Sequence, residues 1–436
     1  MTALSKSLCY LTLFLLIVPE GVAQLYFPPN DSDEWETIDP ATLGWCPDQI
    51  AALDHFLETS NSRAFILLKD GKIVLESYYN GHTATDAWYW ASAGKTMTAT
   101  LIGIAQQEGD LDLDDATSDY LGAGWTSLPP DQEDAITVRH QLTMTTGLND
   151  GIDQSACTEP GCLEYLAPPG ERWAYHNAPY TLLTDVLESA TGSTLNLNLI
   201  QKIRTPLGMD GFYFQQDYNR IMSSTARSMA RFGLFILAEG NWNGTQILTD
   251  TAYFQAMITP SQDLNPSYGY LWWLNGQNQY LLPQGQTVFP GPLLPDAPAD
   301  TRLAAGKNGQ FINVVPSEGM VWIRMGDSPD GLLVPTLLNN EIWQRINALP
   351  CATPTKNPPK FLPRVFPNPV TERLNIDWPA DTEAVQFELQ DVNGRVLRSG
   401  SRTPEFTVSD LPSGLYVLHF FTNAGWLGSR KIIRMK

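Results

Sequence analysis

Ser92 and Lys95 are the residues whose types and spacing point most directly to chemistry. They stand three apart in "SAGK", at the head of an apolar stretch with helical character. Residues three apart on a helix share a face, so the lysine amine can reach the serine hydroxyl. An amine on an apolar face loses solvation, so its pKa falls and it becomes available as a base. The pattern predicts a serine nucleophile with a lysine base; the alternative is a helix cap and a solvated charge.

Two later motifs supply groups that such a nucleophile needs. Tyr175 and Asn177 precede an apolar helix, where the phenol can relay a proton and the amide can orient the lysine and a substrate carbonyl. In "KNG", Lys307 supplies positive charge and Gly309 lets a substrate lie close to a strand edge. Each motif alone has a simpler interpretation: a buried tyrosine with a turn asparagine, and an Asn-Gly turn with a surface lysine.

Other routes to a serine hydrolase fit the sequence less well. Trp90 occupies the first glycine position of a G-x-S-x-G elbow around Ser92. None of the five histidines has a neighbourhood typical of a triad base, which favours a lysine-based mechanism. No Cys/His spacing suggests a zinc site, and we expect no metal and no cofactor. The histidines are His55, His82, His140, His176 and His419.

The surrounding patterns predict the elements that must position these residues. Helical spacing follows Cys46, and two strands flank the hairpin turn Asp70-Gly71. A long helix is predicted from about Ser92 to Gln107, then a mainly helical middle region. Strands and a closing helix come last, and the aromatic run 268–275 is read either as sheet core or as cavity wall. We therefore expect an α/β (α+β) fold whose terminal strands share one antiparallel sheet flanked by helices.

Composition and charge divide the 436 residues into regions. The formal charge of −20 argues against nucleic acid or an anionic membrane as a partner. The acidic excess lies before residue 365, because the remaining residues carry eight acidic and eight basic side chains. No segment of the mature chain is long enough to span a membrane. The predicted regions are a signal peptide (1–23), a lead-in (24–45), a main domain (46–351), a Pro-rich linker (352–364) and a small all-β sandwich (365–436).

Export makes the cysteine count informative. Removal of the signal peptide leaves four cysteines, an even number in an oxidising compartment, with three possible pairings. The Pro-Gly turn between Cys157 and Cys162 can bring those two together. That pairing leaves Cys46 to bond with Cys351 and to tie the two ends of the main domain together.

The motifs S-x-x-K, Y-x-N and K-x-G, in this order, resemble class C β-lactamases and the related penicillin-recognising esterases and peptidases. "ITVRHQLTMTTGL" and "GERWAYHNAPY" extend the similarity over about residues 46–350. The resemblance implies a β-lactamase/transpeptidase-like fold with an added helical subdomain. It implies that Ser92 is the acylated nucleophile and that Lys95 and Tyr175 form the base pair. It also implies oxyanion donors and substrate or supporting contacts: the backbone N–H groups of Ser92 and Gln310, and residues Asn177, Lys307, Asn308 and Gly309.

This resemblance implies a secreted serine hydrolase that forms an acyl-enzyme and cleaves an ester or amide of a small molecule or short peptide. Asn308 stands where β-lactam-active members carry Thr or Ser, so a β-lactamase or D-stereospecific peptidase is the alternative. A non-catalytic binding protein of the same fold is the third hypothesis.

The C-terminal region has a resemblance of its own. "VFPNPVTERLNI", "LPSGLYVLHF" and "KIIRMK" resemble a type IX secretion sorting domain. That similarity implies the bacterial type IX export machinery as a partner, and a secreted or cell-surface location. The alternative is a carbohydrate-binding or fibronectin-like sandwich.

Overall fold

The chain forms two compact units divided after Cys351. The predicted signal peptide and residues 352–361 of the predicted linker lie outside the described residues. Within the described part of the chain, no helix is both long and apolar enough to cross a membrane. The computed structural model describes residues 25–152, 155–329, 331, 334–351, 362–378, 384–391, 395–422 and 425–435.

The helices of the first unit lie at its two ends and, as the sequence predicts, in its middle region. Single turns of 3-10 helix cover Pro40–Leu43, Ala91–Gly94, Pro160–Cys162 and Pro316–Glu318, and Ile200–Arg204 is a π-helical turn. The described α-helices are α1 (Pro47–Thr59), α2 (Lys95–Glu108), α3 (Thr117–Leu121), α4 (Pro130–Glu133), α5 (Val138–Leu142), α6 (Asn177–Thr191), α7 (Leu195–Leu199), α8 (Thr205–Leu207), α9 (Ala226–Leu237), α10 (Thr251–Met257) and α11 (Thr336–Asn347).

The strands of the first unit build one large antiparallel sheet and smaller pairings. The large sheet has the order β2-β1-β13-β12-β11-β8. The described strands are β1 (Ser62–Lys69), β2 (Lys72–Tyr78), β3 (Trp88–Tyr89), β4 (Phe212–Gln216), β5 (Asn219–Ser224), β6 (Asn241–Trp242), β7 (Thr245–Gln246), β8 (Trp273–Leu274), β9 (Gln279–Leu281), β10 (Val288–Pro290), β11 (Arg302–Gly306), β12 (Gln310–Val315) and β13 (Met320–Gly326).

Strands from both ends of the first unit share this sheet, as the sequence predicts. β1 lies beside β13, with Ile66 opposite Ile323. The hairpin β1–β2 turns at Asp70-Gly71, where both residues have positive φ. The strand predicted in the aromatic run 268–275 is limited to the two-residue strand β8 at the edge of the sheet.

Both faces of the sheet are covered by helices. Val321 and Trp322 are neighbours on β13, so their side chains point to opposite faces. Trp322 packs edge-on against Trp343 of α11, with ring centroids 5.7 Å apart. Val321 faces Gly233 of α9, where an added Cβ would lie 2.6 Å from the valine Cγ1. Glycine therefore permits the close approach of α9, and burial on both faces fixes the sheet edge that carries the candidate site.

Two disulfides confirm the predicted pairing. Cys46 bonds to Cys351; their Cα atoms are 4.8 Å apart, and the two residues are separated by 305 positions in the sequence. Cys157 bonds to Cys162 across the Pro-Gly segment. The first bond joins the beginning of α1 to the residues after α11, so it closes the first unit.

The second unit is all β. Its strands form a three-stranded sheet, β14-β15-β18, and a four-stranded sheet, β17-β16-β19-β20. Both sheets contribute to one buried cluster that includes Leu374, Leu389 and Leu418. The hairpin turn predicted at Asn393-Gly394 lies outside the described residues. The strands are β14 (Arg364–Phe366), β15 (Arg373–Asp377), β16 (Gln386–Asp391), β17 (Val396–Ser401), β18 (Glu405–Thr407), β19 (Gly414–Thr422) and β20 (Gly425–Arg434).

Candidate active site

Ser92 lies in the 3-10 turn before α2 rather than within the helix itself. Trp90 anchors this turn: it is fully buried, its indole N–H donates to Ser224 Oγ at 2.9 Å, and its backbone N–H donates to the Met222 carbonyl at 2.8 Å. Ala91 has φ of 49°, a left-handed conformation that costs about 1 kcal/mol for a residue with a Cβ. The strained turn sits directly before the serine, which lines a cavity.

Lys95 lies within hydrogen-bonding distance of Ser92. Its Nζ donates to Ser92 Oγ at 3.0 Å and to Asn177 Oδ1 at 2.9 Å. Only 4% of the residue is exposed, and no described carboxylate forms an ion pair with it. Burial lowers the pKa of Lys95 to about 7, because a desolvated ammonium group is unfavourable. A large share of the amine is therefore neutral near pH 7 and able to accept a proton.

Tyr175 completes the group around the serine hydroxyl. Its ring stacks on Trp273 at 5.9 Å, and Lys95 Nζ lies 5.1 Å from its centroid. Burial raises the pKa of the Tyr175 hydroxyl well above 10, and a hydrogen bond with Ser92 partly opposes that rise. The phenol is therefore protonated at neutral pH. This divides the predicted base pair: the lysine is suited to accept a proton and the tyrosine to relay one.

The third motif forms the turn between β11 and β12 instead of beginning a strand. Asn308 and Gly309 both have positive φ, 64° and 83°. Lys307 is exposed and lines the cavity with Ser92. The Asn308 side chain instead donates to the Tyr89 hydroxyl at 2.7 Å. Neither Asn308 nor Gly309 is among the residues that line the cavity, and their contact with a substrate stays a prediction.

Gln310 follows this turn directly. Because the turn ends at Gly309, Gln310 begins β12, one strand further into the sheet than β11. It is fully buried, and its amide donates to the carbonyls of Lys307 at 3.1 Å and Gly326 at 2.7 Å. The Gln310 backbone is not part of the cavity wall. The Gln310 side chain braces the turn, and the predicted role of its backbone N–H as an oxyanion donor stays a prediction.

A buried arginine supports the same turn. Arg324 on β13 is fully buried, and its guanidinium donates to the Gly309 carbonyl at 2.8 Å and to Ser62 Oγ at 2.8 Å. It also donates to the Ser60 carbonyl at 2.8 Å. These bonds fix the end of β11, where Gly306 approaches the serine turn: an added Cβ there would lie 2.4 Å from the Trp90 carbonyl oxygen.

The cavity brings five predicted residues together. Ser92, Tyr175, Asn177 and Lys307 line it, and Lys95 lies beneath the serine. Its volume is about 810 Å³, enough for a small molecule or a short peptide. Of the aromatic run 268–275, Trp273 reaches the cavity, whereas Tyr268, Tyr270 and Trp272 are buried in the core.

The sequence interpretation missed several residues of the cavity wall. Asp150 and Arg172 form an ion pair there, and the segment 282–286 between β9 and β10 closes one side. The only signal for Arg172 is its place three residues before Tyr175. The loops give no periodicity from which their position could be inferred. Among the described residues, no group of three or more His, Cys, Asp or Glu side chains is arranged to hold a metal ion.

Comparisons with solved structures agree with this fold. A penicillin-binding protein homolog from Caulobacter crescentus has a TM-score of 0.54 at 17% identity, covering 70% of this chain and 98% of that one. A penicillin binding protein from Bacillus halodurans has a TM-score of 0.50 at 18% identity, covering 68% and 99%. At these identities the likeness concerns the fold alone.

Sequence comparisons locate two families on the chain. An uncharacterized protein of Alkalihalophilus pseudofirmus is 26% identical over 320 residues, which are 64% of this chain and 88% of the relative. Residues 364–435 match the secretion system C-terminal sorting domain, which confirms the resemblance to type IX sorting domains and indicates a secreted or cell-surface protein. Residues 53–326, more than half of the chain, match the beta-lactamase family. The chain therefore belongs to the beta-lactamase family, which has a serine-hydrolase fold, and it carries a type IX sorting domain.

Proposed function

We propose that this protein is a class C-like serine hydrolase that cleaves an ester or amide bond of a small molecule or short peptide through an acyl-enzyme on Ser92. The observation that carries the proposal is the 3.0 Å contact between Lys95 Nζ and Ser92 Oγ, with the amine buried and its pKa lowered to about 7. A lysine that served only as a surface charge would not be buried without a carboxylate partner. Such a desolvated amine activates a serine by accepting its proton.

The proposed reaction follows from these contacts. Neutral Lys95 takes the proton of the Ser92 hydroxyl as the oxygen attacks the substrate carbonyl, and a tetrahedral intermediate forms. The ammonium then returns the proton, through the Tyr175 hydroxyl, to the departing oxygen or nitrogen. This leaves an ester on Ser92 and a neutral lysine. Water attacks the ester by the same steps in reverse order, and the acid product leaves.

The second oxyanion donor in this proposal is the backbone N–H of Lys307, alongside that of Ser92. Gly306 lies against the serine turn, and Lys307, the next residue, lines the cavity. Gln310, for which the family resemblance implies this role, is fully buried. Two backbone donors aimed at the developing oxyanion stabilise the transition state, and loss of one such donor typically costs about 10²- to 10³-fold in rate.

The geometry around Asn308 argues against β-lactams as substrates. Its amide is engaged with Tyr89 and offers no hydroxyl beside Lys307. We therefore expect nitrocefin to be inert, and rapid nitrocefin hydrolysis would favour the β-lactamase alternative.

A kinetic comparison tests the proposed function. Wild-type protein should hydrolyse p-nitrophenyl acetate with a burst of p-nitrophenol, because acylation releases the phenol before deacylation. Ser92→Ala should fall to the uncatalysed rate, whereas Ser189→Ala, an exposed serine on α6 that bonds the Tyr120 carbonyl, should behave as wild type. Equal hydrolysis by the wild type and Ser92→Ala would contradict the proposal. Absence of turnover in a folded wild type, across a panel of esters and amides, would favour the binding-protein hypothesis.

A further inference from the structure

Arg172 lies in the wall of the Ser92 cavity and has no role in the reaction proposed above. Its Nη2 pairs with Asp150 Oδ1 at 2.8 Å, and both residues line the cavity. The two side chains are 21% and 12% exposed. An ion pair this shielded from water holds the guanidinium in one orientation, with Asp150 behind it.

The second terminal nitrogen of Arg172 lacks a partner. Nη1 is buried and has no hydrogen bond within the described part of the protein. A buried charged donor without an acceptor is costly, and such groups in folded proteins normally find one. A carboxylate oxygen is the acceptor that matches a guanidinium best in geometry and charge. Arg172 lines the cavity with 21% of its side chain exposed, so a carboxylate bound in the cavity can meet the guanidinium group.

Among the described residues, the charged side chains that line the cavity with Arg172 leave an excess of positive charge. Asp150 is the carboxylate among the described wall residues, and it is already paired with Arg172. Lys307 adds a positive charge that no described carboxylate neutralises. Burial lowers the pKa of the neighbouring His176 to about 4, so this imidazole is neutral at pH 7. In a chain of net charge −20, a local positive cavity selects an anionic group.

The remaining wall is largely apolar. Ile152, Trp273, Leu282 and Leu293 line the cavity together with the charged groups. A substrate that fits this lining has a short apolar segment between its reacting carbonyl and its charged end.

We propose that Arg172, oriented by Asp150, binds a carboxylate of the substrate, and that the enzyme acts on esters or amides bearing a free carboxylate on a short apolar chain. This inference rests on the proposed function for its catalytic part. The Arg172 subsite itself is a binding site and can be measured without turnover.

The kinetic test uses two matched esters, p-nitrophenyl hydrogen adipate and its neutral methyl ester. The wild type should favour the acid by about 10- to 100-fold in kcat/KM, the usual range for a hydrogen bond to a charged group. The double variant Arg172→Gln/Asp150→Asn removes both charges, so no unpaired carboxylate is left buried, and it should lose the preference. Arg220→Gln/Asp185→Asn neutralises a similarly exposed ion pair outside the cavity and should retain it. Equal kcat/KM for both esters in the wild type would overturn the subsite, as would a preference that survives in the Arg172/Asp150 variant.

A binding measurement separates this inference from the proposed function. Calorimetry on Ser92→Ala should detect monomethyl adipate and at least tenfold weaker binding of dimethyl adipate. Adding Arg172→Gln/Asp150→Asn to Ser92→Ala should weaken the monomethyl ester by a similar factor. If the monomethyl ester binds selectively but the wild-type protein hydrolyses neither ester, the proposed hydrolase activity is contradicted and the Arg172 carboxylate site is supported. If both esters are hydrolysed and they bind equally well, the carboxylate site is contradicted and the hydrolase activity is supported.

Discussion

The pH dependence of turnover should follow the ionisation of Lys95. Because burial places its pKa at about 7, the neutral amine falls tenfold per pH unit below that value, to about 1% at pH 5. For a neutral ester, kcat/KM should therefore rise about 100-fold from pH 5 to pH 8 and then level off. Burial lowers the pKa of His176, the imidazole next to Tyr175, to about 4, below this interval, so the step near pH 7 is assigned to the lysine.

Two substitutions at position 95 identify the base. Lys95→Met removes the amine and should lower kcat/KM by about 10²- to 10⁴-fold, the usual contribution of a general base, and should abolish the pH step. Lys95→Arg keeps a positive charge without an accessible neutral form and should be equally inactive. Stopped-flow measurement of the p-nitrophenol burst between pH 5 and pH 9 checks both. An active Lys95→Arg protein, or activity that falls as pH rises through 7, would refute the assignment.

The same pKa predicts a change in stability. The pKa of Lys95 is about 7 when folded and 10.5 when unfolded, so folding is penalised wherever the unfolded chain holds the proton. The penalty is complete below pH 7 and disappears as the pH rises to 10.5. Its upper bound is about 5 kcal/mol, from 3.5 pKa units at about 1.4 kcal/mol each. Urea denaturation should show that Lys95→Met is more stable than wild type at pH 6 and that the difference shrinks by pH 9.

Three further outcomes are expected. Tyr175→Phe should lower kcat by about 100-fold and keep the step near pH 7, because the base remains; a lost step would contradict the division of roles. Arg324→Met should lower the free energy of unfolding by about 3 kcal/mol and raise KM, because the carbonyls beneath the turn lose their donor; an unchanged KM would show that the turn stands without it. Cys46→Ser/Cys351→Ser should cost about 5 kcal/mol in urea denaturation, since the bond closes a loop of about 300 residues; a loss below 1 kcal/mol would contradict the closing role.

The sequence predicts correctly those helices, turns and contacts that depend on residues close together in the chain. Hydrophobic spacing after Cys46 predicts α1, and Asp70-Gly71 between two apolar runs predicts the hairpin β1–β2. The contact between Ser92 and Lys95 is also local, because three residues of helical backbone bring the side chains together. The pairing of Cys46 with Cys351 follows from the short separation of the other two cysteines.

The parts that sequence did not predict depend on turns and on distant packing. Whether Lys307 to Gly309 extend a strand or make a turn is decided by positive φ at Asn308 and Gly309, and after this turn Gln310 begins β12 as a buried residue. Arg172 and Asp150 are 22 positions apart in the sequence, so no helical or strand period relates them. The wall of the cavity, and with it the substrate, is built from such segments.

The most direct test of the central claim is the location of a covalent adduct. Protein incubated with a fluorophosphonate and digested with trypsin should carry one modification, on the peptide that contains Ser92. Fragmentation should place the modification on that residue, and Lys95→Met should remain largely unlabelled at pH 8. Modification of another serine with Ser92 intact, in protein that hydrolyses the ester, would contradict the claim.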